Sequence, residues 1–304
     1  MGRKIACVGE AMVELSLDAE GQTAQIGFAG DTLNTAVYLE RAGAKAHKVA
    51  FVSQVGRDSF SDRMIAFIEG EGVSTAGIVR DDERLPGLYA ISTDAHGERS
   101  FSYWRENSAA RLLFCSDHGA DFSSLDEFDV VYLSAITLAI LQPDVRTALM
   151  GWLQVFRERG GLFAFDSNYR PRLWESVEAA RDAVSRAWSL CDIGMPSVDD
   201  EMALFGDADP MAALARLSAS GIVTGALKRG AEGPVPINAP ADPSIRFSPA
   251  TSVVDTTAAG DSFNGAFLAA LLSGRPLGEA MLAGHDCAAR VIGVRGAIIP
   301  RELS

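Results

Sequence analysis

From residue 128 onward the chain alternates between short apolar runs and longer stretches of helical period. The runs at 130–133, 162–166, 191–195 and 222–228 have the length of strands, and their apolar content suits burial on both faces. Between and beside them, 144–158, 177–188, 199–204 and 211–219 place apolar residues every three or four positions, the first of them opening after Pro143. Parallel strands need a crossover long enough to hold a helix. The pattern therefore predicts an α/β fold, with a mostly parallel sheet covered by helices on both faces.

The first half extends this reading. Residues 4–9 and 48–55 read as strands, 29–43 and 59–69 as amphipathic helices, and 277–292 as a late helix. Asp31 or Thr32 can cap the first helix, and Gly43 can stop it. Two segments differ in character. Residues 10–25 alternate polar and apolar as a partly exposed strand pair. Residues 87–111 read as a β-hairpin turning at 94–97, with one wet face. This hairpin suits a small sheet outside the main core. Residues 233–249, with five prolines, read as an irregular hairpin.

Ligands of open α/β sheets sit at the carboxyl ends of the strands. The polar clusters 166–170, 197–201, 228–233 and 255–261 each follow a predicted strand. The last leads into V-V-D-T-T-A-A-G-D-S-F-N-G at 253–265, read as an apolar strand end, a turn of small residues and a helix start. Free backbone N–H groups and the helix dipole make such a turn a site for an anion, and Asp261 stands beside it as a carboxylate able to take a proton. An anion cradle with an adjacent base points to phosphoryl transfer onto a hydroxyl. The same turn with Asp261 as a plain N-terminal helix acid is the alternative.

Charge and composition narrow the partners. A net charge of −13 argues against nucleic acid or an acidic membrane surface, so an acidic substrate needs a local basic cluster. Four dispersed cysteines and four dispersed histidines form no zinc spacing, and no apolar run reaches membrane-spanning length, so a cytoplasmic protein with reduced thiols is expected. There is no G-x-x-x-x-G-K-[ST], no G-x-G-x-x-G opening the first helix, and no protein-kinase motif set.

D-T-T-A-A-G-D at 255–261 resembles the C-terminal motif of the ribokinase (PfkB) family of sugar kinases, usually D-T-x-G-A-G-D. A-G-D-T-L-N-T-A at 29–36, K-R-G-A-E-G at 228–233 and R-G-A at 295–297 resemble its sugar motif, its nucleotide loop and its C-terminal element, in the family's order. L-P-G-L-Y at 85–89, Y-W-R at 103–105, N-Y-R-P-R-L-W at 168–174 and R-G-A-I-I-P-R at 295–301 resemble the branch acting on 2-keto-3-deoxygluconate. The resemblance implies one ribokinase-like domain over 1–304. It would be a Rossmann-like three-layer sandwich with a small β-sheet lid formed by about 11–28 and 87–111. It also implies ATP and Mg²⁺, a sugar-acid substrate phosphorylated at its terminal hydroxyl, and a homo-oligomer paired through the lid.

The same resemblance assigns roles. Asp261 is the general base, and the N–H groups of Ala258, Ala259 and Gly260 form the anion hole. Gly30, Asp31, Asn34, Tyr89, Tyr103, Arg105 and Arg170 contact the substrate, the two arginines being suited to a carboxylate. Arg170 is equally suited to the ATP phosphates, and Arg172 is placed to share the duty. Ser197, Lys228, Gly230, Gly233, Thr256, Gly260 and His285 fall on the ATP side, His285 by position or else on a helix surface. Asp200 and Glu201 are candidates for Mg²⁺, through water. Ala258 departs from the family's Gly, and Ala there is expected to need a negative φ. A neutral-sugar kinase, the galactonate epimer as substrate, and a non-catalytic sugar-binding protein remain the alternatives.

Overall fold

The computed structural model describes residues 2–18, 21–43, 46–93 and 99–303. In chain order the strands are β1 (Lys4–Val8), β2 (Met12–Leu17), β3 (Ala24–Ala29), β4 (Lys48–Val55), β5 (Ile78–Arg80), β6 (Gly87–Thr93), β7 (Arg99–Trp104), β8 (Cys115–Ser116), β9 (Gly119–Ala120), β10 (Val130–Ser134), β11 (Leu162–Asp166), β12 (Ile193–Gly194), β13 (Thr224–Leu227) and β14 (Val235–Ile237). The helices are α1 (Asp31–Ala42), α2 (Ser59–Gly70), α3 (Ala135–Ile140), α4 (Pro143–Glu158), α5 (Val177–Leu190), α6 (Val198–Phe205), α7 (Pro210–Ala219), α8 (Ala259–Leu272) and α9 (Leu277–Val291).

The main sheet runs β14-β13-β12-β11-β10-β1-β4-β5, and every neighbouring pair is parallel except β13–β14. Strand alternation builds its two cores. Ile5 and Cys7 of β1 and Val130 and Tyr132 of β10 face one side, with residues of α1, α2, α8 and α9. Ala6 and Val8, with Val131 and Leu133, face the other, with residues of α3, α4 and α5. These are the expected three layers. The order reverses between β1 and β10, since the chain builds outward from β1 through β4 and later returns to β10. That reversal opens a crevice at the carboxyl ends of the strands.

The second sheet runs β3-β2-β6-β7. β2 pairs antiparallel with β3 and parallel with β6, while β6 and β7 form the expected hairpin. The turn expected at 94–97 lies outside the described residues. Two other expectations fail. Only β14 forms a strand within 233–249, with Pro236 on the sheet edge where a missing N–H costs little. Residues 253–254 are not a strand, and Val253 and Val254 are 66% and 59% exposed. Their apolar character had suggested burial, but the route from β14 to α8 runs over the surface.

Candidate active site

Helix α1 and helix α8 come from opposite ends of the chain and pack side by side. Gly265 allows this, because a Cβ there would stand 2.7 Å from Leu39 N, Thr35 O and Tyr38 Cβ. The close approach joins the two halves of the site. Asn34 Nδ2 donates to Asp261 Oδ2 at 2.8 Å, and Thr35 Oγ1 donates to the Asp261 carbonyl at 3.3 Å. Gly30 precedes α1 for a related reason: a Cβ there would lie 2.1 Å from the Glu10 carbonyl oxygen.

Asp31 was expected as a possible helix cap. The N-cap is instead Gly30, and no side chain caps α1. Asp31 turns inward, where its Oδ2 accepts from Ser134 Oγ and from Asn168 Nδ2, the latter at 3.1 Å. Ser134 ends β10 and caps α3, accepting from the N–H groups of Ile136 and Thr137. Burial raises the Asp31 carboxyl above its usual range, and the Asp166 charge adds to that. Burial likewise pushes Asp261 well above the usual range, reinforced by Asp31 and Asp166 and opposed by Asn34 and Lys228. Crowded carboxylates in one crevice are a mark of functional sites.

The turn before α8 is fixed from below. Asp255 Oδ1 accepts from Thr257 N at 3.1 Å and Thr257 Oγ1 at 2.7 Å, and Oδ2 accepts from Gly296 N at 2.8 Å. Ala258 overturns its expectation, for it sits in the left-handed region with φ 59° and ψ 17°. Alanine there costs roughly 1–2 kcal/mol. The anion hole also needs correction. Ala259 N donates to the Thr256 carbonyl at 3.2 Å. The N–H groups of Ala258, Gly260 and Asp261 have no acceptor among the described residues, so these three, not Ala259, are free for an anion.

Lys228, just past β13, is buried. Its Nζ donates to Asp166 Oδ1 and Asn264 Oδ1, both at 3.0 Å. Asn264 Nδ2 in turn donates to Asp166 Oδ2 at 2.8 Å and Tyr132 OH at 3.2 Å. A Cβ on Gly260 would lie 3.5 Å from Lys228 Nζ, which sets the ammonium beside the cradle. Asp166, Asn168, Ser134 and Asn264 were missed as site residues. Asp166 ends β11 and opens the polar run already noted at 166–170. Asn264 is three residues beyond Asp261, the spacing of neighbours on one helix face.

Gly30, Asp31, Asn34, Asp166, Asn168, Lys228 and the turn 256–261 line a cavity of about 970 Å³ together with Tyr89, Tyr103, Arg105, Arg170, Arg172, Ser197 and Asp200, while Ser134 and Asn264 stand behind that lining. Tyr89 and Tyr103 are register partners with ring centroids 5.7 Å apart, and the Tyr89 hydroxyl donates to Glu14. Arg105 pairs with Glu10, and Arg170 Nη1 with Asp200 Oδ1 at 3.2 Å. Ser197 N donates to Ser167 Oγ at 3.0 Å.

Some expected residues are not brought in. Glu201 points away into the core, where Oε1 accepts from Trp188 Nε1 at 3.2 Å and Oε2 from Arg216 Nη2 at 2.9 Å. It is fully buried and does not line the cavity, which removes it as a metal candidate. Gly230 and Gly233 form a tight turn with φ 55° and 76°, outside the cavity lining. His285 is buried rather than on a helix surface. Its Nε2 lies 2.7 Å from the Ser248 carbonyl oxygen and its ring packs on Phe247, also outside that lining. Among the described residues no three His, Cys, Asp or Glu side chains cluster closely enough to hold a metal ion.

An anion cradle, a buried carboxylate and a hydroxyl-lined crevice across a sheet reversal define a phosphotransferase acting on alcohols. The chain belongs to the pfkB family of carbohydrate kinases, whose sequence profile matches residues 3–303. It is 45% identical to the 2-dehydro-3-deoxygluconokinase of Dickeya dadantii, with 99% of this chain and 98% of that protein aligned. It is 42% identical to the 2-dehydro-3-deoxygluconokinase of Escherichia coli K12 over 99% of both chains. A fructokinase from Xylella fastidiosa, solved with bound ATP, shares the fold at TM-score 0.79 and 23% identity, covering 98% of this chain and 94% of that one.

Proposed function

We propose that this kinase transfers the γ-phosphoryl group of ATP to the terminal hydroxyl of 2-keto-3-deoxygluconate, giving 2-keto-3-deoxy-6-phosphogluconate and ADP. The full-length identity to two enzymes of that name supports the substrate. The observation that carries the chemistry is the Asp261 carboxylate, held by Asn34 at 2.8 Å beside the open N-terminus of α8.

In this reading Asp261 orients the hydroxyl and takes its proton as the oxygen attacks phosphorus. The free N–H groups of Ala258, Gly260 and Asp261 and the Lys228 ammonium face the charge that develops on the transferred group. Asp31 and Asn34 bind substrate hydroxyls. Arg105, whose charge acts on Asp31, takes the substrate carboxylate. Arg170, paired with Asp200, takes ATP phosphates. Thr256 and Ser197 line the same side of the cavity.

Mg²⁺ fits this donor set as an ion carried in on the phosphates, with Asp200 as its protein-side carboxylate, because Mg²⁺ keeps most of its waters and needs few protein ligands. Bound there, it would neutralise phosphate charge. The second sheet is the lid, closing Tyr89, Tyr103 and Arg105 over the sugar so that water does not intercept the phosphoryl group. Its exposed Ile26 and Trp104, on the face turned away from the cavity, suit pairing between two copies of the chain. No described helix is long and apolar enough to cross a membrane, and the four free cysteines fit a reducing cytoplasm.

A coupled ADP-release assay over both keto-deoxy acid epimers, gluconate, fructose and ribose tests the assignment. The keto-deoxygluconate should give the highest kcat/KM, and Asp261→Asn should lower kcat by roughly 10²–10⁴ while sparing ligand binding. Arg105→Ala should raise KM for the acid, and Arg170→Ala should raise KM for ATP. Preferred turnover of a neutral sugar, or full activity in D261N, would refute the assignment.

A further inference from the structure

Arg105 reaches the cavity with a carboxylate behind it. It follows β7 directly, and its Nη2 donates to Oε2 of Glu10, in the short segment between β1 and β2. The two side chains are only 10% and 1% exposed. Gly87, which opens β6, leaves the room: a Cβ there would stand 2.6 Å from Glu10 Oε1 and 3.1 Å from Arg105 Cβ. The pairing is incomplete, since Glu10 Oε1 and Arg105 Nε are buried without a hydrogen-bond partner among the described residues. A buried ion pair offsets its desolvation only when its remaining lone pairs and protons are satisfied. This pair is therefore a poor stabilising device, and its place at the cavity wall calls for another role.

We propose that Glu10 is a positioning residue for sugar-acid selection. It grips one end of the Arg105 guanidinium and fixes the plane of the fork, so that the opposite edge presents to the substrate carboxylate. Guanidinium–carboxylate recognition depends on that plane, because two parallel N–H···O bonds need one orientation. Glu14 stands behind Tyr89 in the same manner, accepting its hydroxyl proton. The inference rests on the proposed sugar-acid substrate.

The test is steady-state ADP release by wild type, Glu10→Ala, Glu10→Gln, Arg105→Ala and the double variant E10A/R105A. E10A should raise KM for 2-keto-3-deoxygluconate about tenfold to a hundredfold, the cost of a misplaced binding group, and leave kcat and KM for ATP within about twofold. E10Q keeps an acceptor of the same shape and should stay within about threefold of wild type. The double variant should be no worse than R105A, because Glu10 acts only through Arg105. An unchanged KM in E10A, a loss that multiplies with that of R105A, or a matching rise in KM for ATP would each overturn the role. If E10A does not fold, Glu10→Asp carries the same cycle: its shorter reach should raise KM severalfold in the wild-type background and not at all beside R105A. A wild type inactive on the acid would instead sink the substrate assignment itself, so the two failures are distinguishable.

Discussion

Gly265→Ala is the substitution in which packing and catalysis meet most directly. The added Cβ would stand 2.7 Å from two backbone atoms of α1, where ordinary contact begins at 3.4 Å, so the helices must part by about 0.7 Å. Overpacking of this kind costs roughly 1–3 kcal/mol, and the better helix propensity of alanine returns up to about 1 kcal/mol. The net loss of stability is then about 0–3 kcal/mol, a fall in Tm of no more than about 5 °C for a chain of this size. Activity should suffer more. The same separation stretches the 2.8 Å Asn34–Asp261 bond beyond hydrogen-bonding range and releases the base from its orientation. A displacement near 1 Å of a reacting group costs up to about a hundredfold in rate. Thermal melts and ADP-release kinetics on the same preparation should therefore show a folded protein with kcat/KM reduced about tenfold to a hundredfold. A G265A variant with wild-type kcat/KM would refute the claim that α1–α8 packing sets the site.

Three further outcomes follow from the same geometry. Glu201→Ala should destabilise the fold by about 1–3 kcal/mol in chemical denaturation, because it leaves the buried Trp188 Nε1 without its acceptor while Arg216 keeps Asp207, yet leave the Mg²⁺ dependence of turnover unchanged. Ala258→Gly should keep full activity, whereas Ala258→Val, β-branched at φ 59°, should lose at least about tenfold in kcat. Asp261 is raised by burial and then by Asp31, and the base must be ionised to act, so kcat/KM should fall with decreasing pH from well above the usual carboxylate range. Asp31→Asn should move that limb to lower pH in a pH–rate profile. The same raised pKa stabilises the fold at low pH, and that contribution should be lost as pH rises through the folded-state value, since the folded state binds the proton more tightly.

Local signals were enough to read the layers of the fold. Strand and helix periods, and the turn residues between them, depend on neighbours a few positions away, so the parallel sheet, the β6–β7 hairpin and the start of α8 were legible. Where apolar character alone carried a reading, it failed. Val253 and Val254 look like a strand and lie exposed, because burial is set by what packs above a segment and not by its own hydropathy.

The motifs around Asp31, Asn34 and Asp261 marked the candidate site for the same reason, each being a contiguous stretch. Their partners were not legible. Asn34 and Asp261 meet across 227 positions, Lys228 and Asp166 across 62, and Arg105 and Glu10 across 95. Glu201 turned inward for want of any local signal distinguishing it from Asp200, one residue away on the same helix. By itself the sequence determined which groups of carbohydrate-kinase type are present and on which elements. Only the tertiary structure decided which side chains share the crevice, because that follows from helix approach at Gly265, the room left by Gly87 and the burial of charge.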